Sequence, residues 1–519
     1  MILQVLVPIV GTLLFYILYH AGQVLYHNLT SPLRHVAGPK SPSILVGNFK
    51  DMAENPGLTE QWRDEFGSTF RFKGLFSVSE LHTSDLKAVT HIVTNGAIYQ
   101  KAPATLVNSQ RLLGKGLLGV EQDEHKRHNP AFGVMQIRLV TEIFLEKAVQ
   151  LRDIWSVQVE KENGVRIEVL SWLRRMTLDV IGQAGFNYQF HGLEPDHKPD
   201  ELNEVFTELF HSPQSNRNTR FRVSQAMVPI LRLVPVPGWK ITAEAYSKMT
   251  ATGSQAWEKT VGSGRDLLSL IVKANLSTNL PKSQRLNEAE VIAQIPTFFL
   301  AGHETTSTAA AWALHALSHD QRVQKKLREE LLTISTDNPT MDDLNSLPYL
   351  ESVVREIMRV HSPAVFTQRM AMQDDVLPLS KPYIDREGKS HDSLPIPKGQ
   401  MMHVPILAIN TDKEIWGEDA HEFRPERWEK IPERASAVPG VWANLMTFFA
   451  GPHNCIGFRF SIMELKALLF TLIRAFEFEP GVPKAQIGPM MAGILQRPCV
   501  IGDATQASGL PLILKSYNA

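Results

Sequence analysis

The chain is poor in cysteine, has no excess of either charge and carries no nucleotide-binding loop, and each lack removes a class of function. Its 519 residues include only 2 cysteines, Cys455 and Cys499, too few for a disulfide framework or a four-thiolate zinc site. The 53 Lys+Arg are matched by 54 Asp+Glu. Without a basic excess to neutralise phosphates, no nucleic acid is expected as partner. Walker A and G-x-S-x-G motifs are absent, as are repeats and low-complexity tracts. What is present is 43% hydrophobic residues, enough for a packed core.

No formally charged side chain precedes Arg34. About 20 apolar residues span a bilayer core, and the run from Ile2 to Tyr26 has that length. It lacks the basic start and small-residue cleavage site of a signal peptide. A single membrane anchor is therefore expected over residues 1–26, with Tyr16, Tyr19 and Tyr26 in the interfacial belt. Pro32, Gly38, Pro39 and Pro42 then read as a stiff linker, 27–45, into one large domain over 46–519.

Residues Thr69–Phe72 and Val78–Leu81 have the look of short strands around Gly74. Helical periodicity follows over 137–158, 171–184, 203–210, 288–317, 321–334, 345–360 and 457–475. Short extended pieces return near 364–378 and 400–408, with loop from 411 to 447. The sum is mainly α with small β-sheets.

Two partial motifs fail on context. Gly114, Gly116 and Gly119 fit G-x-G-x-x-G, but no strand precedes them, so a loop is expected. His303-Glu304 begins like a zincin H-E-x-x-H, but Ser307 stands where the second histidine is required.

Four features remain. Phe448 to Gly457 is a loop with Gly451 and Gly457 around Cys455, leading into an apolar helix. The glycines let backbone pass close to something flat, and a thiol before a helix start is expected to ionise more easily. A soft thiolate on such a loop suits an iron centre with one strong axial donor. A buried structural cysteine is the plainer alternative. Glu356 and Arg359 share a helix face and can pair. Phe423 to Trp428 brings Arg427 on a proline-stiffened loop. Within the long helix, Ala301 and Gly302 leave room beside the backbone, and Glu304 with Thr305 offers an acid and a hydroxyl for a proton route.

In this order and spacing the four resemble the cytochrome P450 family, most closely its fungal microsomal members. The heme loop F-x-x-G-x-R-x-C-x-G is met at Phe448, Gly451, Cys455 and Gly457, and A-G-x-E-T-T at Ala301 to Thr306. The resemblance implies the P450 fold, a heme b whose iron is ligated by the Cys455 thiolate, and a buried Glu356–Arg359–Arg427 network behind the heme loop. It implies that Thr305 hydrogen-bonds dioxygen while Glu304 helps deliver protons. Arg369, His125 and His453 stand where relatives hold the heme propionates. Two departures are evident: His453 replaces an arginine, and Asn129 occupies the place of another, about one helical turn being missing.

The implied activity is a membrane-anchored monooxygenase acting on a lipophilic substrate, a terpenoid or sterol before a fatty acid. No flavin or NADPH signature is visible, so electrons are expected from an NADPH-cytochrome P450 reductase, with Lys126, Arg127, Arg459 and Lys466 as candidate docking residues. The implied location is the endoplasmic reticulum membrane, single-pass, with the catalytic domain in the cytosol. Two other readings stay open: a heme-thiolate isomerase or dehydratase, and a degenerate member with weakened heme binding.

Overall fold

The computed structural model describes residues 2–55, 57–121, 132–161, 164–194, 288–503 and 508–517, with short pieces between 221 and 269; the side chains at 2–6, 9, 10, 13, 27, 53 and 288 are outside that set. The principal helices are α1 (Ile2–Thr30), α2 (Leu58–Phe66), α3 (Leu86–Thr94), α4 (Val134–Val159), α5 (Val169–Phe186), α6 (Gln294–His319), α7 (Gln321–Leu331), α8 (Pro348–Val360) and α9 (Phe458–Ala475). The strands are β1 (Thr69–Lys73), β2 (Ser79–Thr83), β3 (Tyr99–Gln100), β4 (Val165–Glu168), β5 (Thr367–Ala371), β6 (Asp375–Ile384), β7 (Ser390–Ile396), β8 (Met401–Val404), β9 (Phe476–Pro480), β10 (Ile487–Ala492), β11 (Leu495–Val500) and β12 (Pro511–Ser516). They group into two compact units, one of residues 1–102 and 366–409, the other of 103–365 and 410–519.

The first unit is built on a five-stranded sheet in the order β1-β2-β8-β5-β3, with the β6–β7 hairpin beside it. Alternation in β1 buries Phe70 and Phe72 against Trp62 of α2, as period-2 patterning requires. The side chain of Asp85 caps α3, accepting from the N–H groups of Lys87 and Ala88. The expected anchor is indeed helical, as α1, and most of its described apolar side chains, among them Phe15, Leu18 and Leu25, are exposed. Among the described residues, however, no helix is long and apolar enough to cross a membrane.

The second unit is helical, with a three-stranded sheet in the order β4-β12-β9 and the β10–β11 hairpin. Its centre is α6, buried over nearly its whole length and packed against α5, α8 and α9. A helix apolar on all sides belongs inside a core. The helices expected over 137–158, 171–184, 288–317, 321–334, 345–360 and 457–475 are found within a few residues of their anticipated ends; the one expected over 203–210 lies outside the described residues. The piece expected as extended near 400–408 is a strand over Met401–Val404 but turns into a short helix at Ile406–Asn410, and the β6–β7 hairpin and the C-terminal strands had no clear sequence signal.

Candidate active site

Buried α6 has one open stripe. Ala301 is exposed and Gly302 and Thr305 are half-buried, while Phe298, Phe299, His303, Glu304 and Thr306 around them are buried. Positions 301 and 305 lie one turn apart on one face, and the Thr305 hydroxyl donates to the Ala301 carbonyl at 2.6 Å. Gly302 has a packing reason for lacking a side chain: a Cβ there would fall 2.8 Å from Cγ1 of Ile181 on α5.

Glu304 faces the other way. Its side chain is buried, accepting from Arg497 Nη2 at 2.6 Å, with Arg174 Nε at 3.7 Å and His303 Nε2 at 3.2 Å. His303 also places Nδ1 2.9 Å from the Phe299 carbonyl; among the described residues no cluster of three metal-ligating side chains forms. The expected acid–alcohol pair is therefore split between two faces of one helix, the hydroxyl beside open space and the acid in an ion cluster.

The Cys455 loop is held from both ends. The Cys455 N–H donates to the Phe448 carbonyl at 2.8 Å, and buried Phe448 packs against Trp442 and Phe458. Gly451 takes a positive φ of 66°, which glycine adopts without strain. The thiol is exposed to open space yet crowded by protein. That crowding pushes its pKa up to about 11, only partly offset by the Gly457 N–H. In the protein alone, desolvation therefore outweighs the helix start, and a bound metal would favour the thiolate. The loop and α6 meet through Phe132, whose ring lies 5.4 Å from Phe298 and would touch a Cβ at Gly457 at 3.9 Å.

His453 hydrogen-bonds Glu121 through Nε2, both side chains nearly buried; nothing in the sequence marked Glu121 as its partner. Arg369 belongs to the first unit, where its guanidinium donates to Thr367 Oγ1 at 2.7 Å and to the Gln368 carbonyl at 2.8 Å. His125, Lys126, Arg127 and Asn129 lie outside the described residues.

The ion network is assembled. Arg359 donates twice to Glu356, at 2.9 and 2.8 Å. Arg427 reaches the same carboxylate at 3.3 Å and Asp419 at 2.7 Å. Arg359 also donates to the Asn410 carbonyl at 3.1 Å, and the Asn410 side chain holds the Met446 N–H and Thr447 Oγ1, both at 2.8 Å. The network therefore braces the segment entering the cysteine loop. Trp428 donates its indole N–H to Glu356 at 3.0 Å, a bond a phenylalanine cannot make. Of the expected docking residues, Arg459 is exposed. Lys466 is not: it is buried, 2.7 Å from Glu351 and 2.8 Å from Asn345 Oδ1.

The cytochrome P450 family profile matches residues 37–499, spanning both units. The chain belongs to this family. It is 44% identical to cytochrome P450 monooxygenase 128 of Postia placenta over 98% of this chain and 97% of that one. Cytochrome P450 monooxygenase 205 of the same fungus is 46% identical over 94% of each. Ganoderic acid synthetase CYP5150L8 of Ganoderma lucidum is 34% identical over 92% of each. As a cytochrome P450 monooxygenase the protein is a heme-thiolate enzyme, of a family that carries heme b on cysteine-ligated iron and generally takes electrons from a reductase to oxidise lipophilic substrates. The residues present fit such a group: a free cysteine exposed on a glycine-bearing loop, and a small-residue stripe, open at Ala301, in an otherwise buried helix.

Proposed function

We propose that the protein hydroxylates a lipophilic substrate, a terpenoid or sterol before a fatty acid, with Cys455 as the proximal ligand of its heme. The heme, when bound, supplies the oxygen-activating chemistry. The observation that carries this is the free, exposed Cys455 on a loop joined through Phe132 to Phe298 of α6, one turn from the open stripe. The protein's own part is to hold that sulfur by the Phe448 and Gly457 backbone, to leave room at Ala301, and to present the Thr305 hydroxyl for hydrogen bonding and proton passage. Arg369 and His453, with His125, hold the propionates in this reading; His453 does so while bonded to Glu121. Glu304 must leave Arg497 before it can pass a proton. Phe448, Gly451 and Gly457 shape the loop.

Electrons come from an NADPH-cytochrome P450 reductase. The relative named ganoderic acid synthetase supports the terpenoid preference. The exposed apolar side chains of α1, together with exposed Ile44 and Leu45 in the same unit, support an anchor in the endoplasmic reticulum membrane with the catalytic domain in the cytosol.

The test is the ferrous carbon monoxide difference spectrum of the purified protein. A red-shifted thiolate band, absent in Cys455→Ala, is the expected result. No such band in the native chain refutes the assignment. Reductase-dependent NADPH use with hydroxylated product from a lipid panel then identifies the substrate.

A further inference from the structure

We propose that a cavity between α4 and α5 binds a small organic ammonium ion carrying an apolar chain. The cavity is open to solvent, has a volume of about 700 Å³ and is lined on one side by residues between Gln189 and Glu194, in the size range of small-molecule sites. The Cys455 loop and the open stripe of α6 contribute no residue to its lining.

Most of the charged groups around it are already matched. Lys147 stands 3.6 Å from Glu146, His191 is 2.6 Å from Glu194, and Asp153 pairs with Arg152 at 2.8 Å. Asp179 on α5 is the exception. It is 3% exposed and, among the described residues, accepts the N–H groups of Gly192 and Leu193, at 2.8 and 3.2 Å, with no cation in salt-bridge range. Burial raises its pKa, and neighbouring Lys147 and His191 offset this only in part. One turn further along α5, on the same face, Gln183 Oε1 is buried without a hydrogen-bond donor. Asp179 and Gln183 thus both line one cavity, each with acceptor capacity unused beside it. A buried acceptor left unmatched is costly, and a ligand bringing N–H donors and positive charge removes that cost. Ile154, Val157 and Phe190 supply an apolar wall for a short hydrocarbon chain.

The experiment is titration calorimetry on the heme-loaded full chain in its ferrous carbon monoxide form, so that an amine cannot ligate the iron. The probes are octylamine, octyltrimethylammonium and octanol. Octylamine is expected to bind at least about tenfold more tightly than octanol, and octyltrimethylammonium, which has charge but no donors, to fall between them. Gln183→Leu and Asp179→Asn should each weaken octylamine at least about tenfold. Val157→Lys, at a position 55% exposed, should do likewise by placing an ammonium at the cavity; with Gln183→Leu it keeps the test decisive if Asp179→Asn does not fold. Equal binding of octanol, no binding of octylamine, or octylamine affinity unchanged in these variants overturns the proposal.

Discussion

Arg497 of β11 donates to Glu304 of α6 across 2.6 Å, with both side chains almost wholly buried. The acid beside Thr305 is thereby tied to the β10–β11 hairpin, with Arg174 near its second oxygen. Removing one partner of a buried ion pair strands the other, so Arg497→Met is expected to cost about 3 kcal/mol by urea denaturation. Adding Glu304→Gln should recover at least about 1 kcal/mol, because the stranded charge is gone. Equal stability of wild type and Arg497→Met would mean that Arg174 alone suffices.

The carboxylate of Glu356 accepts from Arg359, Arg427, Trp428 and the Arg424 N–H. Trp428→Phe keeps an aromatic ring yet removes one donor to a buried charge. It should lose about 1.5–3 kcal/mol. Glu356→Gln takes the paired carboxylate from buried Arg359 and leaves Arg427 with Asp419, and should prevent accumulation of heme-loaded protein, read as the carbon monoxide band per mole of chain. Full heme loading in Glu356→Gln would dissociate this network from the cysteine loop.

The parts of this site legible in the sequence were those whose partners lie close in the chain. Glu356 and Arg359 pair because three residues separate them on a helix, and the spacing from Gly451 through Cys455 to Gly457 defines one loop. Partners supplied from elsewhere carried no signal: Asp419 for Arg427, Glu121 for His453 and Arg497 for Glu304 become neighbours only once the chain folds. Desolvation is equally invisible in one dimension. The helix start after Cys455 argued for a thiolate, yet burial wins. Lys466 read as a surface cation, yet it faces Glu351 inside the second unit. The helices were legible through their periodicity, whereas β6 and β7, rich in proline and polar residues, had no clean alternation to report.

Glu80 in β2 gives a pH prediction. It is 6% exposed, its nearest donor is Gln368 Nε2 at 3.4 Å, and burial raises its pKa from 4.5 to about 8. The folded chain therefore holds it protonated at neutral pH, while the unfolded chain ionises it above about 4.5. Its contribution is fully present below the unfolded pKa and declines as pH rises through the folded value near 8. Glu80→Gln should remove that decline and stabilise the protein by roughly 3 kcal/mol at pH 7, with little change at pH 4. Parallel stability-versus-pH curves for the two proteins would show that the carboxyl reaches water.

Gly302 separates two reasons for a small residue within α6. If packing requires it, the added methyl of Gly302→Ala meets Ile181 at 2.8 Å and costs about 1–3 kcal/mol of overpacking, reduced by roughly 1 kcal/mol of better helix propensity. Ile181→Ala alone opens a cavity and should cost about 2–5 kcal/mol. Together the two changes exchange volume across one contact, so the double variant should be more stable than the sum predicts by at least about 1 kcal/mol. Substrate affinity, read from the Soret shift on titration, should barely move in the double variant, because the methyl then lies against α5. Additive stabilities accompanied by a large loss of affinity would place the Gly302 surface against the substrate instead.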